Sequence, residues 1–202
     1  QVWGNKTSKL RGKNQITEEI MGKKFDLSPR SFFQLNPVQT ATLYSEALKL
    51  LSLTPDMTLI DAYSGVGTLG ILAADQVKQV VGIESIPEAV LDAQHNVELN
   101  HVRNAEYLQG SVEKLLPRLK EDGLPIDALI VDPPRTGLAK SLIKTLLRVK
   151  PASFVYISCN PSTLAQDLVL LGEAYDVRVI ENVDMLPQTP RCECIAKLTL
   201  RK

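Results

Sequence analysis

The chain is constrained most by a regular alternation of short apolar runs with helical patterns, from residue 55 to the end. "TLIDAY" (58–63), "QVVGIES" (79–85), "AEYLQGS" (105–111), "DALIVD" (127–132) and "SFVYIS" (153–158) read as strands. Between them lie helical stretches. "GVGTLGILAADQ" is a glycine turn opening a helix, and "PEAVLDAQHNVELN" (87–100) starts with Pro in the first turn. "VEKLLPRLK" is a short helix, "AKSLIKTLLRV" (139–149) turns Leu142, Leu146 and Val149 inward, and "PSTLAQDLVLLGEA" follows the fifth run. Strands that alternate with helices make a parallel sheet covered on both faces, and continuous apolar runs suit strands buried on both sides. The last two runs, "YDVRVIENVDML" and "CECIAKLTLR", are joined only by "PQTPR". That connection is too short for a crossover helix, so the pair is predicted antiparallel. The predicted fold class is α/β: a doubly wound, mainly parallel sheet ending in an antiparallel hairpin.

Residues 1–36 fall outside the alternation. "QITEEIMGKKFDLSPRSFFQLN" reads as short strands about a turn at Gly22, ahead of a helix at 37–53 led by Pro37. Two units are therefore predicted: residues 1–36 as the remnant of a preceding domain, and residues 37–202 as the main one. The first 36 residues carry seven Lys/Arg against three acids, so the neutral chain is +4 there and −4 beyond. A basic arm suits phosphate contacts and equally a solvated surface. No apolar run is long enough to span a membrane, no apolar leader opens the chain, and without a starting Met it reads as a fragment or a processed chain. Three cysteines fit a reducing cytosol better than a disulfide framework, which makes a cytoplasmic location the expectation. Cys192 and Cys194 lack the further ligands a metal would need, so no metal site is predicted and the pair reads as core packing.

Four stretches carry chemistry. "DAYSGVGTLG" holds Gly65, Gly67 and Gly70 in a G-x-G-x-x-G after a strand and at the start of a helix, the setting in which backbone approaches a nucleotide. Glu84 ends the next strand, where a carboxylate can accept from ribose hydroxyls. Asp61, at the end of the first strand, would put negative charge beside the loop. That repels a pyrophosphate and suits the ammonium of a methionine moiety, favouring S-adenosylmethionine over a dinucleotide. "DPPRTG" places Asp132 in the crevice at the strand ends, before two rigid prolines and Arg135. "YISCNPSTLAQDL" ends a strand at Cys159 and opens a helix at Pro161, whose amino terminus is expected to lower the thiol's pKa. "PQTPRCEC" puts Glu193 on the last strand. A thiolate and a base together suit methylation at uracil carbon 5. The thiolate adds to carbon 6, carbon 5 becomes nucleophilic enough to take a methyl group, and a base removes its proton. A nicotinamide-dependent oxidoreductase or a non-catalytic nucleotide-binding scaffold would leave Cys159 idle.

"SFFQLN", "DAYSGVGTLG", "VVGIE", "IVDPPRTG", "YISCNPSTLAQDL" and "MLPQTPRCE" run in an order that resembles the RNA uracil-5-methyltransferases of the TrmA/RumA type. The resemblance implies a Rossmann-like class I S-adenosylmethionine-dependent methyltransferase fold. It implies Cys159 as nucleophile and Glu193 as base. It also implies cofactor contacts at Gln34, Tyr63, Gly65, Gly67, Thr68, Glu84 and Asp132, and substrate contacts at Asp132 and Arg135. Ser64, Ser111, Gln166 and Arg191 depart from the common pattern. The implied partner is structured RNA, with ribosomal RNA preferred to transfer RNA on the DPPR-to-SCNP spacing. An amino-terminal OB-type RNA-binding domain is implied outside this chain.

Overall fold

A computed structural model describes residues 9–201, so the start of the basic arm, Lys6 included, lies outside the described residues. β1 (Ile16–Ile20) and β2 (Lys23–Leu27) form an antiparallel hairpin. Met21 and Gly22 both have positive φ, the two-residue turn whose twist matches paired strands. α1 (Pro37–Leu51) is capped by Asn36, whose side chain accepts the Gln39 N–H.

The main sheet follows: β3 (Thr58–Ala62), α2 (Thr68–Ala73), β4 (Gln79–Glu84), α3 (Pro87–Leu99), β5 (Ala105–Gln109), α4 (Val112–Glu121), β6 (Ala128–Val131), α5 (Lys140–Val149), β7 (Ser153–Ser158), α6 (Pro161–Leu171), β8 (Tyr175–Val183) and β9 (Glu193–Leu200). Its order is β5-β4-β3-β6-β7-β9-β8. The first five strands are parallel, and β9 runs antiparallel to both of its neighbours. The hairpin predicted at the carboxyl end is present, but β9 inserts between β7 and β8 instead of adding to the edge. Their side chains account for the order. Ile195, Ala196 and Leu198 are buried on both faces, whereas β8 leaves Val177 and Ile180 exposed, as an edge strand can.

Strand order reverses between β3 and β6, which opens a crevice above their carboxyl ends. Strand alternation splits the core. Leu59, Ile130, Val155, Ile157 and Ile195 face α1, α2 and the hairpin, while Ile60, Leu129, Val131, Phe154 and Tyr156 face α4, α5 and α6. The β1–β2 hairpin shares the first core through Ile20, Phe25 and Leu27. It is also stitched to α3. Asn100 Oδ1 accepts the Lys24 N–H, Asn96 Oδ1 the Asp26 N–H and Asp92 Oδ2 the Ser28 N–H. Helical positions four apart rise about 6 Å, close to the advance of two strand residues, so one stripe of α3 reads every second residue of β2. No described helix is long and apolar enough to cross a membrane.

Candidate active site

Period-two alternation places the chemistry. Asp61 lies two residues beyond Leu59, Asp132 two beyond Ile130, Cys159 two beyond Ile157, and Glu193 two before Ile195. All four therefore face α1 and α2, at one end of four adjacent strands. β7 and β9 pair up to Ser158 opposite Cys194, so Cys159 and Glu193 are neighbours where that ladder ends.

Three carboxyls share this corner, and each titrates far above its usual range. Burial pushes Asp132 up to about 8, with help from the charges of Glu193 and Asp61. Burial pushes Glu193 up to about 7, against the pull of Arg135. Asp61 rises to about 7 through burial, partly offset by the hydrogen bond it accepts from the Gly70 N–H and reinforced by Glu84. Tyr44 of α1 completes the wall: it feels Asp132, Asp61 and Glu193, and it bonds to the Gln34 side chain. Glu193 Oε2 and Ser64 Oγ are buried without a hydrogen-bond partner among the described residues.

Asp61 borders the glycine motif at its third glycine. Its Oδ2 turns beneath α2 to the Gly70 N–H at 2.9 Å, and it is 2% exposed. Three N–H groups of the loop are engaged within the protein. The Gly65 N–H donates to Glu84 Oε2 at 3.0 Å, the Ser64 N–H to the Ile83 carbonyl and the Gly67 N–H to the Ser64 carbonyl. Glu84 Oε1 also accepts from the Ser85 and Ile86 N–H groups, so this carboxylate closes the loop as well as bordering it. Gly65 and Gly67 have φ of 55° and 83°, and Thr68 starts the buried helix α2. Gly70 is required for packing, since a Cβ there would lie 2.5 Å from the Tyr107 hydroxyl oxygen and 2.8 Å from Val80. Tyr63 holds the left-handed region at φ 62° and donates from its hydroxyl to Glu113, a partner that sequence reasoning missed.

The expectation for the thiol is also corrected. Cys159 is raised, first by burial and then by Glu193 and Asp132, with Arg135 opposing. A backbone hydrogen bond also opposes the rise without reversing it, and Asn160 caps α6, its Oδ1 accepting the Ser162 N–H. Cys194 is buried in the second core, its Sγ donating to Asn182 Oδ1, and Cys192 sits beside it, half-buried and just outside the strand. Both are on the face opposite Glu193. Sequence reasoning also passed over Tyr44 and Asp167. Asp167 left one signal, an acid seven residues after Asn160 in an otherwise uncharged helix.

A switched sheet of this order, with glycine loop, acidic strand ends and antiparallel last strand, defines the Rossmann-like S-adenosylmethionine-dependent methyltransferase fold. A family model described as tRNA (uracil-5-)-methyltransferase matches residues 9–201. The chain belongs to that family. It is 78% identical over 202 residues to an uncharacterized RNA methyltransferase of Lactobacillus johnsonii, and 52% identical over 200 residues to one of Lactiplantibacillus plantarum. It spans all of itself but 44% of the first relative, and 99% of itself but 42% of the second, less than half the length of each. A solved structure of Pyrococcus abyssi tRNA (uracil-54, C5)-methyltransferase, in complex with S-adenosyl-L-homocysteine, matches at TM-score 0.81 and 38% identity, over 94% of this chain and 45% of that one.

Proposed function

We propose that this chain is the catalytic part of an RNA methyltransferase that uses S-adenosylmethionine to methylate carbon 5 of a uridine, through a covalent Cys159 adduct. The observation that carries the proposal is the acidic corner. Asp61, Asp132 and Glu193 converge with Arg135 as the one partner cation found among the described residues, and burial raises all three, with the neighbouring carboxyls adding to the rise at Asp132. A ligand bearing a sulfonium and an ammonium relieves it, whereas the two phosphates of a nicotinamide dinucleotide would add negative charge beside it. Glu193 Oε2 and Ser64 Oγ, buried and without partners among the described residues, fit a bound ligand. Gln34, Tyr63, Gly65, Gly67, Thr68, Glu84 and Asp132 would hold S-adenosylmethionine, which supplies an electrophilic methyl group.

In this reading the chain's own residues perform the rest. Cys159 adds as a thiolate to carbon 6 of uracil, and the electron pair moves toward carbon 5. Asp132 and Arg135 face the base, with Asp132 protonated near neutrality and able to donate. After methyl transfer, Glu193 removes the carbon 5 proton, the double bond re-forms and the Cys159 sulfur leaves. A base whose pKa lies near the working pH is suited to that step.

Ribosomal RNA is the first target to test, on the motif spacing. A second reading, transfer RNA, is favoured by the 38% identity to the Pyrococcus abyssi enzyme. Incubation of the full-length protein with labelled S-adenosylmethionine and each RNA, followed by nucleoside digestion, should give 5-methyluridine from one class. Label in another nucleoside, or none from either RNA, would refute the assignment.

A further inference from the structure

We propose that Asp167 is a positioning residue: with Asn160 and Thr163 it forms a clamp on one face of α6 that holds the 133–138 loop and so sets Arg135 beside Cys159. The three residues lie at successive turns of the helix that follows the thiol, and each bonds to the same loop. Asn160 Nδ2 donates to the Arg135 carbonyl at 3.0 Å, and the Thr163 hydroxyl donates to the same oxygen at 3.2 Å. Asp167 Oδ2 accepts the Leu138 N–H at 2.8 Å and the Tyr156 hydroxyl at 2.7 Å.

The clamp is tight enough to dictate sequence. Asp167 is 7% exposed, unusual for a carboxylate on a surface helix, and both bonds fall on one oxygen. Gly137 has φ of 75°, its N–H closes a turn onto the Pro134 carbonyl at 2.9 Å, and a Cβ there would lie 2.5 Å from Asp167 Oδ2. Only glycine allows the carboxylate this close. The glycine of "DPPRTG" and the aspartate of "TLAQDL" thus serve one contact.

The loop's ends define its effect. Asp132 stands at one end; Arg135 stands mid-loop, with its carbonyl held and its guanidinium free to act on Cys159 and Glu193. Among the described residues the charged groups facing the thiol are Glu193, Asp132 and Arg135, and of these Arg135 favours the thiolate, as a backbone hydrogen bond also does. Tyr44 packs from α1 beside the two carboxyls. If the clamp opens, the favourable charge moves away while the two carboxyls stay. In catalysis this rests on Cys159 being the nucleophile, but the contact itself can be read without any RNA.

The test is the pH midpoint of Cys159 alkylation by iodoacetamide, followed by peptide mass spectrometry on the full-length protein. Asp167→Ala should raise the midpoint by roughly 0.5–1 pH unit, seen as about 3–10-fold slower alkylation at a fixed lower pH. Arg135→Ala should raise it by a similar amount, and the double variant should add little, because both act through one group. Asp167→Asn, which keeps an acceptor, should return the midpoint most of the way to that of wild type. Thr163→Val removes one loop bond at a half-buried position and should give a smaller upward shift even if Asp167→Ala fails to fold. The proposal is overturned if Arg135→Ala moves the midpoint while Asp167→Ala and Thr163→Val do not, if the shifts add fully, or if Arg135→Ala moves nothing. An enzyme that alkylates as expected but yields no 5-methyluridine would refute the proposed reaction and leave the clamp standing.

Discussion

Asp61→Asn should remove part of the pH dependence of stability in the ligand-free protein. Asp61 is buried beneath α2 and titrates at about 7 in the fold, against 3.8 when exposed. Burial is the chief cause, so the folded state holds the proton more tightly than the unfolded one. Such a carboxyl favours the fold fully below about pH 3.8, and that advantage is lost as pH climbs to about 7. The loss runs at about 1.4 kcal/mol per pH unit over most of that window, which gives roughly 2–3 kcal/mol between pH 5 and pH 8. Asparagine keeps an oxygen for the Gly70 N–H and cannot ionise. Urea unfolding of wild type and variant at pH 5, 6, 7 and 8 would read the difference by linear extrapolation. The variant's stability should fall less steeply with pH, with a residual slope from Asp132 and Glu193. Parallel curves for the two proteins would refute the burial argument, as would a wild-type stability that rises from pH 5 to pH 8.

Gly70→Ala should lower stability by about 1–3 kcal/mol, because the added methyl meets Tyr107, Val80 and Asp61 in a packed core; thermal unfolding monitored by circular dichroism reads this directly. Glu193→Gln should slow turnover by roughly 10²–10⁴-fold while letting the Cys159 adduct accumulate on ordinary uridine RNA, visible as a retarded band on a denaturing gel. A Glu193→Gln enzyme at wild-type rate would remove Glu193 from the proton step.

Sequence made the sheet legible because parallel strands buried on both faces leave uninterrupted apolar runs, as in "ALIV" and "SFVYIS". The insertion of β9 was less legible, since hairpin length fixes pairing but not which strand turns inward. Yet the apolar "CIA" against the exposed positions of β8 carried that information. Site positions were legible as strand ends, whereas side-chain directions were not. Asp61 points under α2 because Gly70 offers an amide there, a contact nine residues away. The thiol's titration missed its predicted sign because it is partly buried and two carboxyls crowd the sulfur, one of them brought by a strand 34 residues downstream. Asp167 was hidden because its partners, Leu138 and Tyr156, lie in different elements.

The central claim is that Cys159 adds to carbon 6 of uracil. It is tested most directly by incubating the full-length protein and S-adenosylmethionine with RNA carrying 5-fluorouridine at the target. Fluorine cannot leave as a proton, so Glu193 has nothing to remove and the sulfur cannot depart. Wild type should give an adduct that survives denaturation and maps by mass spectrometry to Cys159, and Cys159→Ala should give none. An adduct that persists in Cys159→Ala would contradict the account, and so would a wild type that methylates ordinary uridine yet leaves no adduct with the fluorinated RNA.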